Sequence, residues 1–222
     1  VGERKPTMEG MGMIKEFWKN RKVFITGHTG FKGGWIALLL HHLGAKVYGY
    51  SRNPSTRPNF YDIANLESIF EKSFIGEIND FNYLSAVLNQ SNPSLIFHMA
   101  AQPLVRDSYV NPIETFNTNV MGTVNILEAA RSQENIKAIV NITSDKCYEN
   151  KEWIWPYREE DVLGGRDPYS SSKACAELVA KSYKLSFLEK ENIGIASVRA
   201  GNVIGGGDWS KDRLIPDFFR AL

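Results

Sequence analysis

The sequence contains little cysteine, no excess of either charge and no long apolar run. Its two cysteines, Cys147 and Cys175, are too few for a disulfide framework and form no C-x-x-C pair, which indicates reduced thiols and a cytoplasmic protein. The net charge of +1 gives no electrostatic preference for nucleic acid or for an anionic membrane. Because a membrane-spanning helix needs about 20 apolar residues in a row, none is predicted.

The composition is that of a globular protein, with 43% hydrophobic and 23% charged residues. A chain of 222 residues can hold one domain and part of a second. Residues 1–20 lack the apolar core and the cleavage site of a signal peptide, and we interpret them as a flexible leader.

From residue 21 onwards, β-branched and aromatic runs alternate with segments of helical character. Strands are predicted at 23–26, 46–50, 73–76, 95–99, 138–143 and 193–199, and helices at 35–43, 62–70, 80–90, 113–131 and 168–191. The helix 113–131 carries one apolar stripe, formed by Ile113, Phe116, Val120, Val124 and Leu127. The alternation predicts an α/β fold over 21–200, with a doubly wound parallel sheet covered by helices on both faces.

Three glycines, Gly27, Gly30 and Gly33, lie between the first predicted strand and the first predicted helix. Glycine permits a tight turn and lets a diphosphate approach the backbone, and the following helix offers free N–H groups. This context predicts a dinucleotide site rather than a simple turn. The acidic residue that would select NAD at the end of the second strand is missing. Ser51 and Arg52 stand there instead, which leaves NAD and NADP both open.

Two further groups of residues point to proton transfer. Tyr169 and Lys173 share one face of a predicted helix, where an ammonium beside a phenol favours the phenolate and makes it a base. Ser144, Asp145 and Lys146 follow the fifth predicted strand, at the edge that faces the ligand crevice of open parallel sheets. The Ser144 hydroxyl can hydrogen-bond a reacting oxygen. Asp145 and Lys146 add an acid and a base, which simple hydride transfer does not require. The structural alternatives are a solvated helix face and a capped turn.

These motifs resemble those of the extended short-chain dehydrogenases/reductases, whose glycine spacing is G-x-x-G-x-x-G. Longer stretches resemble the CDP-glucose branch of the sugar-nucleotide 4,6-dehydratases, namely TSDKCY, HMAAQPLVRDSY, NTNVMGTVNILEA, DPYSSSKACAELV and RAGNVIGGGDWSKDRLIPD. The resemblance implies a Rossmann domain, NAD regenerated in each cycle, and conversion of CDP-glucose to CDP-4-keto-6-deoxyglucose. It also implies a smaller C-terminal substrate lobe, truncated here, of which 201–222 is the beginning.

The resemblance assigns the following roles. Catalysis is assigned to Ser144, Asp145, Lys146, Tyr169 and Lys173. Cofactor binding is assigned to Gly27, Thr29, Gly30, Phe31, Lys32, Gly33, Ser51, Arg52, Glu77, Ile78, Ala100, Ala101, Gln102, Asn119, Tyr169 and Lys173. Substrate binding is assigned to Arg106, Asn202, Asp208, Trp209 and Arg213, and no metal is implied. By analogy, helices 113–131 and 168–191 would form the interface of a homodimer.

Some alternatives stay open. They are another sugar-nucleotide dehydratase, a sugar-nucleotide 4-epimerase, which shares the glycine turn and the Tyr–Lys pair but needs no acid–base pair, and a catalytically incomplete dinucleotide-binding fragment. Lys146 is either a base or an electrostatic stabiliser of an enolate. The resemblance makes Asn117 an organiser of the backbone beside the site. We interpret His98 and Cys147 as packed structural residues.

Overall fold

Six parallel strands form one sheet in the computed structural model, which describes residues 14–222. In chain order they are β1 (Lys22–Thr26), β2 (Lys46–Ser51), β3 (Phe70–Ile75), β4 (Leu95–His98), β5 (Ala138–Ile142) and β6 (Gly194–Val198). Their spatial order is β3-β2-β1-β4-β5-β6, and every neighbouring pair is parallel. The order reverses between β1 and β4, as in a doubly wound sheet, so the predicted fold class is confirmed.

Helices form the crossovers between these strands. The first half of the sheet is connected by α1 (Phe31–His42), α2 (Phe60–Ile63), a 3-10 turn (Leu66–Ile69) and α3 (Phe81–Ser91). The connection from β4 to β5 contains α4 (Val105–Val110), α5 (Pro112–Phe116), a π turn (Asn117–Met121) and α6 (Gly122–Arg131). After β5 come a 3-10 turn (Asp145–Cys147), α7 (Pro168–Tyr183), a π turn (Lys184–Leu188) and, beyond β6, α8 (Leu214–Ala221).

Each face of the sheet buries its own apolar cluster. On β1, Phe24 joins the cluster that contains Ile96, whereas Val23 and Ile25 join the opposite cluster with Val47. Successive side chains of a strand point to opposite faces, so a strand covered on both faces is apolar at nearly every position. This double burial explains why the predicted strands are short continuous apolar runs.

The helix expected over 62–70 is wrong for most of its length. The chain is helical only to Ile63 and again in the short 3-10 turn, because Asn65 adopts a left-handed conformation with φ of 47° that interrupts the helix. β3 consequently begins at Phe70, three residues earlier than expected. The helices α4 and α8 were not predicted. The helix α1 begins at Phe31, whereas the sequence predicted its start at 35, because Gly33 and Gly34 are poor helix formers and concealed its first turn.

The described N-terminal residues pack on the domain. Residues 1–13 of the predicted leader lie outside the described residues. Residues 14–18 are helical, and Trp18 packs against Phe97. Among residues 14–222, no helix combines the length and apolar character that crossing a membrane requires. The expected domain boundary near 200 stays a prediction.

Candidate active site

The turn between β1 and α1 lies where the strand order reverses. Gly27 has φ of +78°, and a Cβ atom on Gly33 would lie 2.1 Å from the Gly27 carbonyl oxygen, so both positions require glycine. Gly30 precedes α1, no side chain caps this helix, and its first turn holds no acidic residue. Its first N–H groups are therefore suited to an anion such as the diphosphate of a dinucleotide. Phe31 and Lys32 begin the helix beside this position.

The end of β2 carries a charged cluster beside the glycine turn. The Thr29 hydroxyl donates to the Arg52 carbonyl at 2.8 Å and pairs with the Ser51 hydroxyl at 2.9 Å. The Arg52 guanidinium lies 3.0 Å from a Glu114 carboxylate oxygen and 3.9 Å from one of Glu77. An open cavity of about 410 Å³ adjoins this cluster and is lined by Arg52, Asn53, Ser55, Ile75, Gly76 and Glu77.

A buried amide organises the segment after β4. The Asn119 side chain accepts from the Gln102 backbone N–H at 2.8 Å and donates to the Gln102 carbonyl at 3.1 Å and to the Ser172 hydroxyl at 2.8 Å. Asn117 is exposed, so the organising role expected of it belongs to Asn119, which lies on the buried side of the π turn.

Three residues that the sequence assigned to cofactor binding lie close to this segment. Ala100 and Ala101 are half-buried just before Gln102, and the Ala100 N–H donates to the Thr26 hydroxyl at 3.1 Å. Ile78 is buried in the apolar core.

The Ser-Asp-Lys triplet forms the 3-10 turn at the carboxyl end of β5. Ser144 is buried, and its hydroxyl accepts from the Lys146 backbone N–H at 3.3 Å and donates to an Asp145 carboxylate oxygen at 3.2 Å. The side chains of Asp145 and Lys146 are 54% and 44% exposed and lie 4.0 Å apart. The turn therefore buries the serine and presents the Asp145 and Lys146 side chains to solvent.

Tyr169 lies in the first turn of α7, whose N-terminus is capped by the Asp167 side chain. Burial, helped by the charge of Asp145, raises the pKa of Tyr169 even though a hydrogen bond with Ser144 and the charge of Arg213 lower it, so the phenol is held in its protonated form and not as the phenolate that the sequence led us to expect. α7 also packs against the 3-10 turn that carries Asp145 and Lys146, so the phenol and the triplet lie in one region of the crevice.

Lys173 is buried one turn further along α7. Its Nζ donates to the Ile142 carbonyl at 3.2 Å, and burial, aided by the charge of Lys32, lowers its pKa to about 7. The sequence led us to expect a charged ammonium beside the phenol. In this structure Lys173 instead titrates near neutral pH.

The predicted substrate residues are divided between the crevice and its rim. Burial lowers the pKa of Lys32, the charge of Arg213 lowers it further, and the charge of Asp208 raises it. Arg213 also lowers the pKa of Tyr169, so it lies near both side chains. Arg106 forms an exposed ion pair with Asp212 at 2.7 Å. Further along the segment, the Trp209 carbonyl accepts a hydrogen bond from Arg220, and Asn202 is exposed.

Two structural interpretations are confirmed, and one network was missed. His98 is buried between the Thr26 and Thr123 hydroxyls, at 2.8 and 3.2 Å, and Cys147 is fully buried. The missed residue is Glu177, which is buried on α7 and paired with an arginine. A signal for it existed, because Glu177 continues the four-residue spacing of Tyr169 and Lys173 on one helix face.

The comparisons with known proteins agree with this site. A family profile described as GDP-mannose 4,6 dehydratase matches residues 24–206. A CDP-glucose 4,6-dehydratase from Salmonella typhimurium (strain LT2) is 56% identical over 213 residues, which are 94% of this chain and 59% of that protein. A dTDP-D-glucose 4,6-dehydratase from Dictyostelium discoideum is 26% identical, over 91% of this chain and 48% of that protein. The chain thus spans 59% or less of the length of these relatives.

A solved structure supports the same assignment. MoeE5 in complex with UDP-glucose and NAD superposes with a TM-score of 0.75 at 25% identity, over 90% of this chain and 60% of that one. The family profile covers most of this chain and includes both the glycine turn and the Tyr–Lys pair. The resemblance of the sequence motifs is therefore confirmed, and the chain belongs to the GDP-mannose 4,6 dehydratase family.

Proposed function

We propose that the whole protein is a cytoplasmic CDP-glucose 4,6-dehydratase, which removes water from CDP-glucose to give CDP-4-keto-6-deoxyglucose. The observation that carries the proposal is the packing of the turn that bears the Asp145–Lys146 pair against α7, the helix that bears the Tyr169 phenol. The similarity to the Salmonella enzyme supports CDP-glucose as the substrate. Two free cysteines, Cys147 and Cys175, suit a reducing compartment.

NAD fits the residues at the switch point of the sheet. The uncapped start of α1 suits the diphosphate, and the cavity of about 410 Å³ at the ends of β2 and β3 suits the adenosine. Lys173, buried on α7 one turn after Tyr169, would hold the nicotinamide ribose. When bound, the nicotinamide supplies reversible storage of a hydride. The carboxylates of Glu77 and Glu114 beside Arg52 favour NAD over NADP, since they would repel a 2′-phosphate.

The side chains of this chain would move the protons. Tyr169, once it has lost its own proton, would take the O4 proton as the C4 hydride leaves, and the Ser144 hydroxyl would orient O4. The resulting C4 ketone makes the C5 proton acidic. The C5 proton then passes either to a neutral Lys146 or to solvent while a charged Lys146 stabilises the enolate, and Asp145 in its protonated form donates to the C6 hydroxyl, which leaves as water. Return of the hydride to C6 and of a proton to C5 completes the product.

The exposure of Lys146 bears on its role. A lysine becomes a base after it loses its charge, which burial or a nearby cation promotes. The Lys146 side chain is 44% exposed, and its ion partner is the Asp145 carboxylate. This environment supports electrostatic stabilisation of the enolate by Lys146.

The decisive experiment is the Asp145→Asn substitution in the whole protein. Wild-type protein given CDP-glucose and NAD should form the ultraviolet-absorbing 4-keto product. Loss of the acid should slow dehydration by about 100-fold or more, because general acid catalysis contributes at least that much, while C4 oxidation continues and reduced nicotinamide is seen by its absorbance. A matched control is Glu71→Gln, which neutralises an exposed carboxylate on β3.

The same experiment separates the alternatives. Dehydration at the wild-type rate by Asp145→Asn contradicts the assigned roles. An epimerase would interconvert the C4 configurations without forming the 4-keto product, and a fragment that only binds dinucleotide would do neither.

We also propose that the protein forms a homodimer through 113–131 and 168–191. The apolar stripe predicted on 113–131 is partly turned to solvent, since Ile113 is 78% and Phe116 37% exposed, and Leu178 on α7 is 54% exposed. α5 and α7 pack side by side, so these side chains lie on neighbouring helices. An apolar surface shared by two adjacent helices is suited to a second copy of the same surface.

A further inference from the structure

A buried carboxylate outside the proposed catalytic set lies behind the segment from Thr143 to Cys147, which carries Ser144, Asp145 and Lys146 and is called the catalytic turn below. Glu177 is 6% exposed and sits on α7, four residues after Lys173 and eight after Tyr169. Residues at this spacing lie on one face of a helix, so the same face that presents the phenol also presents this carboxylate. None of the proposed proton transfers uses Glu177.

One oxygen of this carboxylate binds both ends of the catalytic turn. The Thr143 hydroxyl donates to Glu177 Oε1 at 2.6 Å, and the Cys147 thiol donates to the same oxygen at 3.4 Å. Thr143 is the residue before Ser144, and Cys147 is the residue after Lys146. The three proposed catalytic residues of the turn therefore lie between two contacts to one atom.

An arginine compensates the buried charge. Arg199 Nε lies 2.8 and 2.9 Å from the two oxygens of Glu177, and Arg199 Nη2 also donates to Oε2. The guanidinium lies over the Tyr148 ring, 4.6 Å from its centroid, and its Nη1 donates to the Glu159 carbonyl at 2.9 Å. Arg199 follows β6, so the pair ties the turn to the edge of the sheet as well as to α7.

The protonation states fix the directions of these hydrogen bonds. Burial raises the pKa of Glu177, but hydrogen bonds from Arg199 and Thr143 outweigh it and lower the pKa, so the group stays a carboxylate that only accepts. Burial and the charge of Glu177 raise the pKa of the Cys147 thiol to about 12. Cys147 is therefore a protonated donor, not a nucleophile.

We propose that Glu177 is a positioning residue for the dehydration, which holds the turn of Ser144, Asp145 and Lys146 in register with Tyr169. This inference rests on the proposed function. The turn and the phenol must act on one sugar ring, and Glu177 attaches the turn to the helix that carries the phenol. Displacement of a reacting group by about 1 Å can reduce a rate by about 100-fold, so such an attachment has a measurable effect.

The sharpest test is the pair Thr143→Val and Thr143→Ser in the whole protein. Valine has nearly the shape of threonine but cannot donate to Glu177, whereas serine retains the hydroxyl. For Thr143→Val we expect kcat for water loss to fall by about 10- to 100-fold, with KM for CDP-glucose changed by less than about twofold. Thr143→Ser should restore kcat to within about threefold of wild type.

A spectroscopic signature separates positioning from general damage. Tyr169 stays on α7 in the Thr143→Val protein, and of the three residues of the turn only Ser144 takes part in C4 oxidation, so oxidation should slow less than elimination, and reduced nicotinamide should accumulate during turnover. Oxidation and elimination that fall together, along with a lowered melting temperature, would overturn the proposal. Wild-type kcat in Thr143→Val would overturn it too. Wild-type protein that makes no 4-keto product would instead contradict the proposed function.

A double-mutant cycle with Glu177→Gln is the second test. Glu177→Gln and Thr143→Val weaken the same link, so the double variant should lose about as much kcat as Glu177→Gln alone, rather than the product of both losses. The control cycle combines Thr143→Val with the exposed Glu71→Gln, where the effects should multiply. Multiplication in the Glu177 cycle would contradict the inference. Should Glu177→Gln fail to fold, the Cys147→Ala and Cys147→Ser pair replaces it, with the loss expected only for alanine.

Discussion

Arg52 shows how neighbouring side chains change the meaning of a residue. By position alone, an arginine after β2 is suited to bind the 2′-phosphate of NADP. In the structure its guanidinium is held by Glu114 at 3.0 Å and lies 3.9 Å from Glu77. These partners come from α5 and from the segment after β3, which the local sequence does not reveal. The positive charge of Arg52 is therefore already neutralised by carboxylates of the protein.

This pairing predicts a change of cofactor preference in Glu114→Gln. Removing one carboxylate leaves Arg52 freer to bind a 2′-phosphate and removes a repulsive charge. Because exposed ion pairs contribute at most about 1 kcal/mol, the ratio of NADP affinity to NAD affinity should rise by roughly fivefold. Calorimetric titration of both dinucleotides measures the ratio without turnover. The Glu71→Gln control should leave the ratio unchanged, and the same ratio in Glu114→Gln would refute the role of Glu114.

Sequence spacing was informative where a motif is local. The glycine turn and the Tyr169–Lys173 pair could be identified because each lies within one turn or one helix. Spacing did not identify Asn119, whose role was assigned to Asn117, or the buried Glu177. The contacts of Asn119 and Glu177 reach residues 17 to 53 positions away, and long-range contacts depend on tertiary packing.

The helices of the β4–β5 connection show why periodicity did not identify the buried face. An apolar stripe ordinarily faces the core. Here the buried side carries Thr115, Thr118 and Asn119, while Ile113 faces solvent. Polar side chains can be buried because they are hydrogen-bonded, as when the Thr115 hydroxyl donates to the Asn111 carbonyl at 2.9 Å. The exposed part of the stripe, Ile113 and Phe116, is then available for association, whereas Leu127 at its other end is buried in the core.

This arrangement predicts that Leu178→Glu disrupts the dimer. Two buried glutamates, one from each copy, would lose hydration and repel each other across a symmetric interface. Static light scattering should give the mass of two chains for wild type and of one chain for the variant. Leu39→Glu is the matched control, since Leu39 on α1 is 52% exposed and Leu178 is 54% exposed. A monomeric wild type would contradict the proposed interface.

At the scale of the whole molecule, the order of strands and helices was predictable because double burial makes each strand apolar. Two buried histidines, His28 and His98, are polar exceptions to this apolar interior. His28 hydrogen-bonds Ser73 at 2.7 Å between aromatic rings, and His98 lies between two threonines. Burial lowers the pKa of His28 to about 4, and burial together with the charge of Lys173 lowers that of His98 to about 3.

The two histidines predict that the fold loses stability between pH 6.5 and 4. Unfolded histidines take up protons near pH 6.5, whereas the folded ones stay neutral until about pH 4 and 3, so the unfolded state binds more protons in this window. Each histidine should lower the free energy of unfolding by about 2 kcal/mol between pH 7 and 5. Urea unfolding at several pH values measures the slope. His98→Asn should reduce the proton uptake on unfolding by about one near pH 5, and an unchanged slope would show that His98 is already protonated in the folded protein.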